Sequence, residues 1–182
     1  MPWLLAILPA FAATDQLEAS AGYRLSGNST DPVQNLQVDL QWTHSADFGD
    51  LDTRLMVLPI GGQGFGDMSL AGSVTYLHPL PAGDHAVFYP GVGLSRGPMD
   101  FRCGSCWVEQ LSANPQVALA LGSGEWGLTA TLGVGIPILG ASGVVRPIGA
   151  IRVRHQQGVF VELETGRLQD VDALRVGWKW TL

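Results

Sequence analysis

The sequence predicts an all-β fold, an antiparallel up-and-down transmembrane β-barrel of about ten strands. Three observations predict it. Apolar and polar residues alternate in stretch after stretch, the period of a strand whose two faces meet different surroundings. Hydrophobic residues make up 46% of the 182-residue chain, yet charged residues are only 14%, against ~25% in soluble domains. No run of about 18 apolar residues follows the N-terminal region, so the apolar content is dispersed as a barrel needs rather than gathered into a membrane-crossing helix.

Residues 1–13 read as a secretory signal. Trp3 to Phe11 is a short apolar region, and Ala10, Phe11 and Ala12 form a small-x-small cleavage pattern, although no Lys or Arg precedes it. The barrel domain is then residues 14–182. Its first stretch, 16–26, sets Leu17, Ala19, Ala21, Tyr23 and Leu25 on one face. The second, 35–43, sets Leu36, Val38, Leu40 and Trp42 against Gln37, Asp39 and Gln41. The third is 51–60; the fourth, 68–78, carries Leu70, Val74 and Tyr76. The fifth, 86–95, carries Phe88, Val92 and Leu94, and the sixth is weakly marked and ends in 116–121. In the seventh, 126–136, Trp126, Leu128, Leu132, Val134 and Ile136 alternate with Gly127, Thr129, Thr131, Gly133 and Gly135. The eighth is 147–155. The ninth, 158–166, opposes Val159, Val161 and Leu163 to Phe160, Glu162 and Glu164, and the tenth is 173–182. Eight strands is the alternative count, because the sixth is weak and Pro59 and Pro90 each remove a ladder donor, which predicts a bulge or a mouth position.

The last stretch is the most regular. Leu174, Val176, Trp178, Trp180 and Leu182 share one face, and Arg175, Gly177, Lys179 and Thr181 share the other. A chain ending on such a strand resembles the bacterial outer-membrane β-barrel proteins, whose closing strand usually ends in an aromatic residue; Leu182 stands in that place here. The resemblance covers the barrel domain and implies an outer-membrane location with lipid around the barrel. Connection lengths follow the same plan. Those at 27–34, 61–67, 96–110, 139–146 and 167–172 are expected to point outward and are longer on average. Those at 44–50, 79–84, 122–125 and 156–157 are expected to point inward.

Alternation defines two faces. The expected lumen face carries Glu18, Asp39, Asp52, Glu162 and Glu164 against Arg24, Arg54, Arg152, Arg154, Arg175 and Lys179. All come from the first three and last three strands, which become neighbours on closure. The middle strands offer small residues instead, such as Ala71, Ser73, Ala118 and Thr131, so long charged side chains on one wall are expected to face short ones on the other. Buried charges need partners, and near-balance of sign allows pairing, so an ion-paired lumen is expected rather than an open pore. Tyr23, Trp42, Tyr76, Trp126, Trp178 and Trp180 fall on the apolar face and are expected to form an aromatic girdle at the membrane interface. The alternative is a soluble lipocalin-like barrel with the faces inverted and an apolar ligand inside. The net charge of −6 argues against a nucleic-acid partner.

Motifs for chemistry are sparse. Cys103 and Cys106 lie in the longest outward connection, where an exported protein is expected to form a small disulfide. Phe101, Arg102 and Trp107 beside them make 96–110 a candidate surface for a protein partner. His44, Ser45 and Asp47 sit together in a turn, where Ser and Asp have turn roles. Arg154 and His155 with Glu162 and Glu164 resemble the outer-membrane lipid A deacylase family, which uses a His, a Ser two residues later and a downstream Glu. Position 157 is Gln157, so the nucleophile is missing. The expectation is a non-enzymatic barrel without cofactor, whose loops serve envelope structure, adhesion or a partner complex. The alternatives are a small pore or a lipid-acting barrel enzyme.

Overall fold

The structure is a computed structural model that describes residues 14–24, 36–59, 68–98, 109–139, 145–165 and 173–182. Its strands are β1 (Thr14–Arg24), β2 (Leu36–Ala46), β3 (Gly49–Pro59), β4 (Met68–Leu77), β5 (Leu80–Pro81), β6 (Ala86–Pro98), β7 (Glu109–Ser123), β8 (Trp126–Leu139), β9 (Arg146–His155), β10 (Val159–Thr165) and β11 (Ala173–Thr181). Every pairing is antiparallel, and β1 pairs with β11 while β4 pairs with β6. The sheet therefore closes into a ten-stranded barrel, with β5 a two-residue spur on the start of β6. Closure gives each of the ten barrel strands a partner on both sides. Ten strands replace the alternative of eight.

Following the registers once round, the pairing climbs by roughly twelve residues, which for ten strands sets a tilt of about 40°. A strand of eleven residues at that tilt rises roughly 25 Å. Four short connections, at 47–48, 78–85, 124–125 and 156–158, lie at one end, where β1 starts and β11 finishes. This is the turn end. The five connections at the loop end lie outside the described residues, as do the expected signal at 1–13, the Cys103 and Cys106 pair and the core of the 96–110 connection.

The weakly marked sixth stretch is a long strand, β7, of 15 residues. Pro115 hides it: the β7–β8 ladder skips Asn114 and Pro115, and its register shifts between Leu111 and Ser112. Pro59 ends β3. Pro90 sits where the pairing of β6 passes from β4 to β5, and its carbonyl accepts from the His78 N–H at 2.9 Å. Both prolines thus occupy places where a missing donor costs little.

The faces are apolar outside and polar inside. Leu40, Leu55, Val74, Val92, Leu132, Ile151, Val161 and Val176 are exposed on the outer surface. Charged residues at described outward strand positions are few, Asp15 toward the turn end and Arg96 two residues from the loop end of β6. Glu18, Asp39, Arg54, Glu162, Glu164 and Arg175 are buried inside. The inverted alternative, with apolar residues lining the interior, is not the arrangement of this barrel.

Candidate functional site

The lumen gathers the charges that strand alternation points inward. Arg54 on β3 reaches across to Glu164 on β10 with Nη1 at 3.0 and 2.9 Å from the two carboxylate oxygens. The same guanidinium donates through Nε and Nη2 to Asp39 Oδ1 at 2.9 and 2.6 Å. Arg175 lies between, with Nη2 2.5 Å from Glu164, Nη1 3.7 Å from Asp39, and a direct contact to Glu162. Arg152 bonds Glu162 through Nε and holds Glu18 at 2.7 Å through Nη1. Lys179 is 3.9 Å from Glu18. Four cations and four carboxylates form one chain, Lys179–Glu18–Arg152–Glu162–Arg175, branching to Asp39 and Glu164 and closing on Arg54.

Arginine suits this role. Its planar fork keeps its charge and engages two carboxylates at once, which a lysine ammonium does less well. Burial of ions costs several kcal/mol each unless every one is paired, so the chain stands or falls as a unit. Room for it comes from residues without side chains. A Cβ on Gly22 would lie 2.6 Å from Arg175 Cγ, and one on Gly177 would lie 2.5 Å from the Phe160 ring. Phe160 is buried in the lumen, and the Arg152 guanidinium sits 4.4 Å from its centroid, a cation–π contact inside a low-dielectric space.

Of the eleven charged residues expected in the lumen, eight are in this chain. Asp52 and Arg154 are also luminal but line a cavity nearer the turn end. Arg24 sits on β1 opposite Ala173, and its side chain lies outside the described residues. The expected contrast of walls is present: Ala71, Ser73, Thr75, Ala118 and Thr131 are buried, short and opposite the charges. The lumen is not filled throughout. Below the ion pairs, a cavity of about 710 Å³ opens toward the turn end. The expectation of a closed lumen holds for the ion-paired part, and the small-residue wall leaves the rest open.

The six girdle aromatics do not share one end. Trp42, Trp126, Trp178, Trp180 and Tyr76 are outward near the turn end, whereas Tyr23, opposite Leu36 and Leu174, is near the loop end. Phe48 in the 47–48 turn and Phe88 join the turn-end set. Phe48 lies in a connection, where alternation gives no signal, whereas Phe88 is on the apolar face near the start of the stretch 86–95. All four histidines of the chain also stand at the turn end. His155 packs edge-on to Trp126 at 4.7 Å between centroids, His44 lies 5.8 Å from Trp42, and His78 lies 6.5 Å from Tyr76. The Tyr76 hydroxyl donates to the Phe48 carbonyl, which ties β4 to the neighbouring turn.

These histidines have structural partners. His44 Nδ1 is 2.8 Å from Asp15 Oδ1. His155 Nε2 is 3.5 Å from Glu125, and its Nδ1 accepts from the Gln157 N–H at 3.3 Å. Glu162 and Glu164 are inside the ion-pair chain and not beside His155, so the deacylase-like set is not assembled. Among the described residues no three metal-binding side chains cluster. Compared with protein-family models and with curated proteins, the sequence matches none. The fold defines a closed ten-stranded antiparallel β-barrel with an ion-paired lumen, and geometry carries the functional reading from there.

Proposed function

We propose that this barrel spans the bacterial outer membrane and works without catalysis, its longer loop-end connections serving envelope structure, adhesion or a partner complex. The observation that carries the reading is the apolar outer surface, on which charged residues are few. Soluble monomers rarely expose contiguous apolar patches beyond a few hundred Å², whereas a lipid-facing barrel requires an apolar band about 25 Å tall. The turn-end aromatics fit the inner interface of that band, and the short turns fit the periplasmic side. The connection 96–110 is the proposed partner surface, with Cys103 and Cys106 joined in a disulfide; mass measurement after alkylation without reductant checks the bond.

The test is fractionation of the expressed full chain, followed by gel mobility with and without boiling. Recovery in the outer membrane with a boiling-dependent shift is the expected result. Recovery as soluble periplasmic protein overturns the reading.

A further inference from the structure

The cavity at the turn end is bounded by walls of opposite charge. β3 contributes Asp50 and Asp52, and β9 contributes Arg152 and Arg154. These strands are five apart in either direction round the barrel, half a circuit, so the acidic and basic walls face each other. Arg152 is held by Glu18 and Glu162. Arg154 is exposed at the mouth and makes no ion pair among the described residues. Lys179 adds a second cation whose paired carboxylate, Glu18, is 3.9 Å away.

Tyr89 on β6 lines the same cavity and lies within electrostatic reach of Asp50, Asp52 and Arg154, so these groups bound one space. Gln41 also lines it, and its buried Oε1 has no hydrogen-bond partner. Elsewhere in this lumen, arginines and carboxylates close directly on each other. Here residues of both signs, Asp50, Asp52 and Arg154, line one space of ligand size. A plain anion entering it meets Asp50 and Asp52, and a plain cation meets Arg154 and Lys179.

The geometry points to a binding site for a small zwitterion, an amino acid or short peptide entering from the turn end. Its carboxylate lies at Arg154 and Lys179, and its ammonium at Asp50, Asp52 and the Gln41 carbonyl. The Tyr89 hydroxyl donates or accepts between the poles. The inference depends on the lumen and not on the surrounding membrane, so it stands or falls separately from the proposal above.

Titration calorimetry on the refolded full chain in detergent tests it with alanyl-alanine, its N-acetylated form and its C-terminal amide. The zwitterion is expected to bind, and each capped form to bind about tenfold more weakly, the loss of one charge-assisted contact. Arg154→Gln should reduce the preference over the amide alone, and Asp52→Asn the preference over the acetylated form alone. Arg154 lies outside the ion-pair chain, so its variant should keep the heat-dependent gel shift of the parent. No heat of binding from any of the three at millimolar concentration overturns the proposal. Equal affinity for the zwitterion and the acetylated form overturns it too, because the site would then select only an anion.

Discussion

Gly22 and Arg175 stand directly opposite each other in the β1–β11 pair, and a Cβ on Gly22 would lie 2.6 Å from the Arg175 Cγ. The glycine is the space the arginine occupies on its way into the lumen. Gly22→Val should therefore displace Arg175 and lower stability by about 1–3 kcal/mol, the range for overpacking. The readout is the urea midpoint of the barrel in lipid vesicles, with the slope unchanged. A midpoint equal to that of the parent would mean that Arg175 has room to spare.

Removing the arginine itself should cost more. Arg175→Met leaves Asp39, Glu162 and Glu164 sharing Arg54 and Arg152, and a buried charge without its partner costs about 3–5 kcal/mol. Neutralising Glu164 in the same chain, as Arg175→Met with Glu164→Gln, should recover part of that loss. A double variant no better than the single one would show that Glu164 depends on Arg54 alone.

The same network closes the lumen. The parent protein should give no steady conductance steps in planar bilayers. Arg54→Ser combined with Arg175→Ser withdraws two guanidinium groups and should produce them. Silence from a folded double variant would place the seal elsewhere.

Leu132 is the sharpest test of what surrounds the barrel. It is 68% exposed near the middle of β8. In a bilayer, Leu132→Arg should cost about 2–4 kcal/mol, and Leu139→Arg at the strand end no more than about 1 kcal/mol. On a water-facing surface both changes would fall within about 0.5 kcal/mol of neutral. Unfolding of both variants in vesicles separates the two cases.

His155 should be silent in chemistry. It packs on Trp126, and position 157 offers no nucleophile, so His155→Ala should leave the lipid composition of expressing cells as the parent leaves it. Mass spectrometry of extracted lipids is the measurement. A deacylated lipid that accumulates with the parent chain and vanishes in His155→Ala would establish an enzyme.

Strand positions are legible in this sequence because alternation is local. The contrast of Leu174 with Arg175, or of Trp42 with Gln41, needs no knowledge of a partner strand. β7 resists for the same reason: Asn114, Gln116 and Ala118 differ little in bulk from their neighbours, and Pro115 breaks the pattern. The membership of the lumen network follows from parity. Its pairing does not, since Arg54 finds Glu164 110 positions away through registers summed across five strands. Asp50 reads as part of a connection and is instead the second residue of β3. Tyr89 points inward by parity with outward Phe88, but it carries no charge, and its place beside Asp50, Asp52 and Arg154 follows only from the folded barrel.

The seam between β1 and β11 also orders events in time. Every other barrel pair joins strands adjacent in sequence or separated only by the spur β5, and each can zip as a local hairpin. The seam alone joins the two ends of the barrel, extending to Leu182 N–H on Asp15 C=O at 2.9 Å. Its loop-closure entropy falls due in one long-range step, which makes closure the slow event of folding. Until then two unpaired ladders stand open, one of them flanked by Trp178 and Trp180, and the half-made barrel is a template for strand addition. The interval before closure is therefore when this chain is most exposed to aggregation and most accessible to a chaperone that shields open strands.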